Sequence, residues 1–185
     1  VAMTGAVEEA IRDLCPNARV KRMPHPLYDH FGAPVPPGDA RRQLGLPAEA
    51  RVLLFFGLIR TYKGLDLLID AFGLLDQRYH LVIAGEPYGD FSSYRQQIAI
   101  SPSRENIHVH TRFIADAEVP LYCGAADAVV LPYRSATQSG ITAVAHHFGV
   151  PVVATDVGGL REALDGGRAG VLVPTAGVLQ LLESR

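Results

Sequence analysis

The sequence predicts an α/β fold: a Rossmann-like parallel sheet of about six strands, covered by helices on both faces. Three observations carry this. Short continuous apolar runs, such as Arg51–Gly57 (RVLLFFG) and Tyr79–Ala84 (YHLVIA), are what strands look like when both faces are covered. Between the runs lie segments with apolar residues at helical spacing, of which Leu65, Leu68, Ile69, Phe72 and Leu75 are the clearest. Strand and helix then alternate along the chain, a pattern that calls for right-handed crossovers.

The elements follow in order. Thr4 is placed as the N-cap of a helix over residues 4–15 that carries Val7, Ile11 and Leu14 on one face, and Pro16-Asn17 stops it. Ala18–Met23 reads as a first strand, and the proline-rich stretch up to Gly38 as an extended linker or hinge. Asp39 is expected to cap a short helix that ends at Gly45. After the strand 51–57 and the helix of Leu65–Leu75 come the strand Tyr79–Ala84, a helix over 91–100, and a strand over 106–110. Asp116 is expected to cap a helix through Tyr122. Asp127–Leu131 is a strand closed by Pro132, and Ile141, Val144, Ala145 and Phe148 give the next helix its face. Residues 151–154 begin a strand, a short helix carries Glu162, Gly170–Pro174 is a last strand, and Val178–Leu182 begins a helix.

Bulk properties set limits on function. The 185 residues can bury one good core with a short appendage. A content of 48% hydrophobic and 19% charged residues describes a globular domain, and a net charge of −2 gives no reason to expect nucleic acid or an anionic membrane as partner. Cys15 and Cys123 have neither CxxC nor zinc-like spacing and read as structural thiols in a reducing, cytoplasmic setting. The longest apolar runs, such as Val52–Phe56, are too short to span a bilayer, and Val1-Ala2-Met3-Thr4 opens no signal-peptide pattern. The start at Val1 and the end at Ser184-Arg185 read as the limits of a piece of a longer chain.

Two polar, glycine-bearing loops fall at the C-terminal ends of strands that should be neighbours: Arg134–Gly140 and Thr155–Gly159. That edge of an open α/β sheet is where ligands bind, and the helix start Ser139-Gly140-Ile141-Thr142 offers free N–H groups suited to a phosphate. An ordinary βα turn explains either loop taken singly. A third loop carries Arg60 and Lys63 between Gly57 and Gly64, two cations and approachable backbone of the kind a diphosphate needs, although a loop lysine is often only solvated. His108 and His110 share a face, and His146 and His147 diverge on a helix. Without a third ligand both pairs read as solvated or hydrogen-bonded histidines, and no metal site is expected. No pair of carboxylates has the spacing of a glycoside hydrolase, and Gly85-Glu86-Pro87-Tyr88-Gly89 is not a GxGxxG fingerprint.

The run Leu131-Pro132, the Ser139-Gly140 helix start, Gly149-Val150-Pro151-Val152-Val153-Ala154-Thr155-Asp156 and Gly158-Gly159-x-x-Glu162 together resemble the donor-binding half of family 4 (group 1) retaining glycosyltransferases of GT-B fold, over roughly residues 18–175. The resemblance implies that residues 1–17 are the tail of an N-terminal domain, 18–38 the interdomain crossing, and 39–185 the nucleotide-sugar domain. It makes Arg60 and Lys63 the cations on the leaving diphosphate. The donor-binding set becomes Gly57, Gly85, Glu86, the base-pocket run Arg112, Phe113 and Ile114, the stretch Gln138, Ser139, Gly140, Ile141 and Thr142, and Glu162 on a hydroxyl unless that carboxylate is only a surface ion pair. The implied reaction is retaining transfer without a metal or other cofactor, the leaving phosphate serving as base, to a glycan, lipid or small-molecule acceptor held by the N-terminal domain, through which a peripheral membrane contact stays open. Two departures stand out. Leu58 occupies the place where the family commonly has arginine after the glycine, and the family's glutamate pair falls on Ala136 and Val144. A non-catalytic nucleotide-sugar sensor and a GT-B nucleotide-sugar epimerase are the alternative functions.

Overall fold

The computed structural model describes residues 1–23 and 30–174. Six strands, β1 (Arg51–Phe56), β2 (Tyr79–Ala84), β3 (Ile107–His110), β4 (Ala128–Leu131), β5 (Val152–Thr155) and β6 (Gly170–Val173), form one sheet in the order β3-β2-β1-β4-β5-β6. Every pairing is parallel. The helices among the described residues are α1 (Gly5–Leu14), α2 (Pro37–Gln43), α3 (Leu65–Phe72), α4 (Ser92–Ile100), α5 (Val119–Ala125), α6 (Gly140–His147) and α7 (Leu160–Ala163).

Alternation along the strands splits the core in two, as the pleat requires. Val52, Leu54 and Phe56 face Ala40, Tyr122, Val144 and Leu160 of α2, α5, α6 and α7. Leu53 and Phe55 face the other way, onto Leu65, Leu68, Ile69 and Phe72 of α3. A polar clasp anchors α2 beneath the sheet: Arg41 donates to the carbonyls of Ala125 and Ala48 and pairs with Asp127 at 3.0 Å, and Asp127 accepts from the amide of Val52 at 2.7 Å.

Several expectations are corrected. Residues 18–23 form no strand in the sheet; Ala2 and Arg22 make a single parallel bridge, because only Ala2 offers backbone to pair with. Asp39 lies inside the first turn of α2, paired with Arg42, and Pro36 is the N-cap. Asp116 opens a 3-10 turn ahead of α5, and the Glu118 carboxylate, not Asp116, accepts the Ala115 amide. The helix expected from Val178 lies outside the described residues, as do residues 24–29 of the proline-rich linker. Thr4 does cap α1, accepting from the Val7 amide at 3.3 Å. No residue of α1 is fully buried, so its apolar face, with Leu14 outermost, covers neither half of the core.

Candidate active site

The strand order reverses between β1 and β4, and the loops leaving these two strands open the crevice where ligands bind in such sheets. The β1 loop runs through a 3-10 turn at Thr61–Lys63 into α3. The β4 loop is fastened to it: the Arg134 amide donates to the Tyr62 carbonyl at 2.8 Å, and its guanidinium donates to the Thr61 carbonyl and grips Asp66 through two nitrogens. Gly57 has a φ of +91°, and a Cβ there would lie 2.9 Å from Ile141 Cδ1 and 3.7 Å from Lys63 Nζ. A Cβ on Gly85 would fall 2.0 Å from the Gly57 carbonyl oxygen. Only glycine permits this approach, which gathers Gly57, Lys63, Gly85 and Ile141 at one place.

Lys63 is the electrostatic centre. Its residue is 8% exposed. Burial pushes its ammonium down to about 8, and the positive charge of Arg60 pushes the same way. Among the described residues no carboxylate pairs with it; its nitrogen lies 5.6 Å from the centre of the Tyr133 ring. A desolvated cation without a counter-charge is costly, and an anion arriving here removes that cost. The N-terminus of α6 points the same chemistry at the same crevice. Its N-cap Ser139 makes no capping bond, so the first-turn amides are left uncapped by it, and Thr142 turns its hydroxyl back onto the Ser139 carbonyl at 2.6 Å. Arg60 is exposed, with its guanidinium 4.3 Å from the centre of the Tyr88 ring.

The remaining expected residues spread along the same edge. The Glu86 carbonyl accepts from the Ile59 amide at 2.9 Å, tying the β1 and β2 loops together while its side chain stays exposed. At the end of β3, Arg112 is held by Glu118 through contacts of 2.8 and 2.5 Å, Phe113 is 69% exposed, and Ile114 is buried in the core, so that only its backbone faces the loop. Gln138 lines an open cleft of about 550 Å³ with Tyr62, Arg134 and Thr137 on one side and Val157 and Gly158 on the other. Glu162 is engaged elsewhere. One carboxylate oxygen accepts from the Gly5 amide at the start of α1 at 2.6 Å and the other lies 3.6 Å from Arg22. Thr4 joins this contact by donating to the Thr137 carbonyl at 2.8 Å.

Three features escaped the sequence reading. Tyr133 and Arg134 sit in a stretch read only as strand end and small polar loop, and the signal was the ring and guanidinium directly after Pro132. Thr155 is completely buried and donates to the Tyr133 carbonyl at 2.5 Å. His108 pairs with His80 at 3.0 Å, and burial pushes both imidazoles below their ordinary range. Among the described residues no group of three His, Cys, Asp or Glu is placed to hold a metal, and no helix is long and apolar enough to cross a membrane.

A parallel sheet whose order reverses above a buried ammonium, unpaired among the described residues, and an open helix start defines an α/β domain with a cationic crevice at its switch point. The chain belongs to the glycosyl transferases group 1 family, whose profile matches residues 50–184. It is 31% identical over 188 residues to the D-inositol 3-phosphate glycosyltransferase of Jonesia denitrificans, a match covering 94% of this chain and 43% of that one. It is 36% identical over 145 residues to the enzyme of the same name from Thermomonospora curvata, covering 73% and 34%. The chain thus spans less than half the length of these curated relatives. Among solved structures, Anabaena HepE in complex with UDP-glucose superposes with a TM-score of 0.84 at 22% identity, covering 99% of this chain and 52% of that one. The C-terminal domain of the group 1 protein LpcC from Francisella tularensis superposes with a TM-score of 0.69 at 20% identity, covering 81% and 80%. These likenesses establish the fold, one Rossmann-like half of a GT-B architecture.

Proposed function

We propose that this chain is the donor-binding domain of a retaining glycosyltransferase, and that it holds the diphosphate of a nucleotide sugar between Lys63, Arg60 and the first turn of α6. One observation carries the reading: a buried ammonium with no carboxylate partner among the described residues lies beside an uncapped helix start, at the point where the strand order reverses. Charge that builds on the departing diphosphate meets a fixed cation in a dry setting, where such stabilisation is strongest. The cations and amides fill the role a divalent metal has in other transferases, so the reading needs no metal and no other cofactor. The leaving phosphate then serves as base toward the acceptor hydroxyl, and transfer proceeds with retention. The acceptor, a glycan, lipid or small molecule, is assigned to an N-terminal domain of the same chain, with residues 1–17 as that domain's tail and 18–38 as the crossing. Two unpaired cysteines suit a reducing compartment, which supports a cytoplasmic location. HepE, which shares the fold, has been solved with UDP and with UDP-glucose, which supports a uridine nucleotide as the first ligand to try.

The test is calorimetric titration of the chain with UDP, GDP and ADP, repeated on Lys63→Ala. One nucleotide should bind, and Lys63→Ala should lose at least about tenfold in affinity, the scale of one charge-assisted contact. A folded sample that binds none of the three overturns the reading, as does an unchanged Kd in Lys63→Ala. Product analysis with the full-length protein then separates sugar transfer from epimerisation.

A further inference from the structure

Lys63 and Ser139 approach the crevice from different loops, and one side chain stands between them. Tyr133 is 2% exposed and follows the strand-ending Pro132. Its ring lies within cation–π range of Lys63 Nζ, at 5.6 Å. Its phenol stands beside the Ser139 hydroxyl, which is buried and makes no well-formed hydrogen bond. Ser139 does not cap its own helix either, so beyond the Tyr133 phenol its hydroxyl has no partner among the described residues and is open to a ligand. The Tyr133 ring is pinned from several sides. Its carbonyl accepts the Thr155 hydroxyl at 2.5 Å, Tyr62 packs edge-on at 5.9 Å, and the preceding Pro132 carbonyl lies so close to Gly64 that a Cβ there would meet it at 2.1 Å.

We propose that Tyr133 is a positioning residue: its ring carries the Lys63 ammonium, its phenol sets the Ser139 hydroxyl, and the two groups converge on one phosphate. This rests on the donor reading above and adds a residue to it. The chemistry explains why an aromatic ring is used. A carboxylate beside Lys63 would hold it equally well but would neutralise the charge intended for the phosphate. The negative face of a ring orients the ammonium and leaves its full charge for the ligand. A residue serving only to fill this volume would need no hydroxyl, and burying a phenol without a partner is unfavourable.

The experiment is protein-observed titration with whichever of UDP, GDP and ADP binds best, and with the matching nucleoside as a phosphate-free control. The variants are Tyr133→Leu, Tyr133→Phe, Ser139→Ala and the Tyr133→Phe/Ser139→Ala double, each checked for native folding. Tyr133→Leu should weaken the diphosphate about tenfold, the scale of a desolvated cation–π contact, and leave the nucleoside unchanged. Tyr133→Phe should recover most of that loss, because it restores the ring. Its residual deficit should vanish in the Ser139→Ala background, since both changes break the same link. Equal losses for diphosphate and nucleoside, or diphosphate affinities within twofold of the native chain in both Tyr133 variants, overturn the proposal. Should Tyr133→Leu not fold, additive effects of Tyr133→Phe and Ser139→Ala overturn it. Lys63→Ala separates the two levels: unchanged binding there sinks the donor reading itself, whereas binding lost in Lys63→Ala and retained in the Tyr133 variants sinks only the positioning role.

Discussion

Lys63→Met should make this domain more stable and weaken its affinity for a nucleoside diphosphate at least about tenfold. Burial, helped by Arg60, lowers the ammonium from 10.5 to about 8. At about 1.4 kcal/mol per tenfold change, that drop sets the cost of holding the charge at about 3 kcal/mol. Methionine keeps the aliphatic stem and discards the charge, so we expect a gain of about 1–3 kcal/mol at pH 7, or several degrees in Tm. The pH dependence checks the cause. Below pH 8 the folded and unfolded chains both carry the proton, and the native state bears the whole cost. Between about 8 and 10.5 the unfolded chain keeps a proton that the native chain has released, so native stability rises with pH. Above that window both forms are neutral. Urea denaturation of both chains at pH 7 and pH 10 should therefore find the Met variant ahead at pH 7 and the gap mostly closed at pH 10. A Met variant less stable than the native chain at pH 7, or a gap indifferent to pH, would refute the reasoning. A domain that retains a destabilising group in its core does so for a ligand.

The other expectations are quicker to state. Gly158→Ala places a Cβ 1.8 Å from the Ala136 carbonyl oxygen at a φ of +47°; it should cost about 2 kcal/mol or more, and an unchanged urea midpoint would deny that the β4 and β5 loops touch as described. Glu162→Gln should leave nucleotide affinity within about threefold, its carboxylate being spent on α1, and should speed hydrogen exchange at the Gly5 amide; lost nucleotide binding would return Glu162 to the donor. A thiol reagent should label exposed Cys15 promptly and spare Cys123, whose thiol burial pushes up to about 12, while fast labelling of two thiols in the native state would contradict the packing of α5.

The order of strands and helices was readable because the four inner strands are buried on both faces and helices such as α3 have an apolar stripe. Those are local properties, and Tyr79–Ala84 came out with its bounds intact for that reason. The termini of short helices were less readable. Asp39 and Asp116 both have the right chemistry for an N-cap, yet Pro36 and Glu118 take those places, since tertiary packing decides where a short helix begins. At the site, Lys63, Gly57 and the Ser139 turn were legible from residue types next to predicted strand ends. Their mutual contacts were not, because Tyr133, Thr155 and the Arg134–Asp66 grip join residues 22 to 73 positions apart. Glu162 was legible as a useful carboxylate but not as the partner of Gly5, a residue 157 positions away.

The neutral residues at Ala136 and Val144, where the family resemblance led us to expect a glutamate pair, fit the packing and can be tested by reversal. Val144 is 6% exposed, on the face of α6 that meets the sheet, among Leu131, Val152 and other apolar side chains. The Ala136 carbonyl accepts the Gly159 amide at 3.0 Å, so its loop is pressed against the β5 loop. Val144→Glu should then bury a carboxyl with no cation beside it and cost about 3 kcal/mol or more at neutral pH. Burial would raise that carboxyl's pKa in the folded chain above the unfolded value. The cost should therefore be smallest at pH 4 and grow as pH rises and the unfolded chain ionises first. Urea midpoints at pH 4 and pH 8, each compared with the native chain, read this directly. A variant as stable as the native chain at both pH values would mean the carboxylate reaches water or a hydroxyl from this position, and that the neutral residue reflects the donor rather than the core.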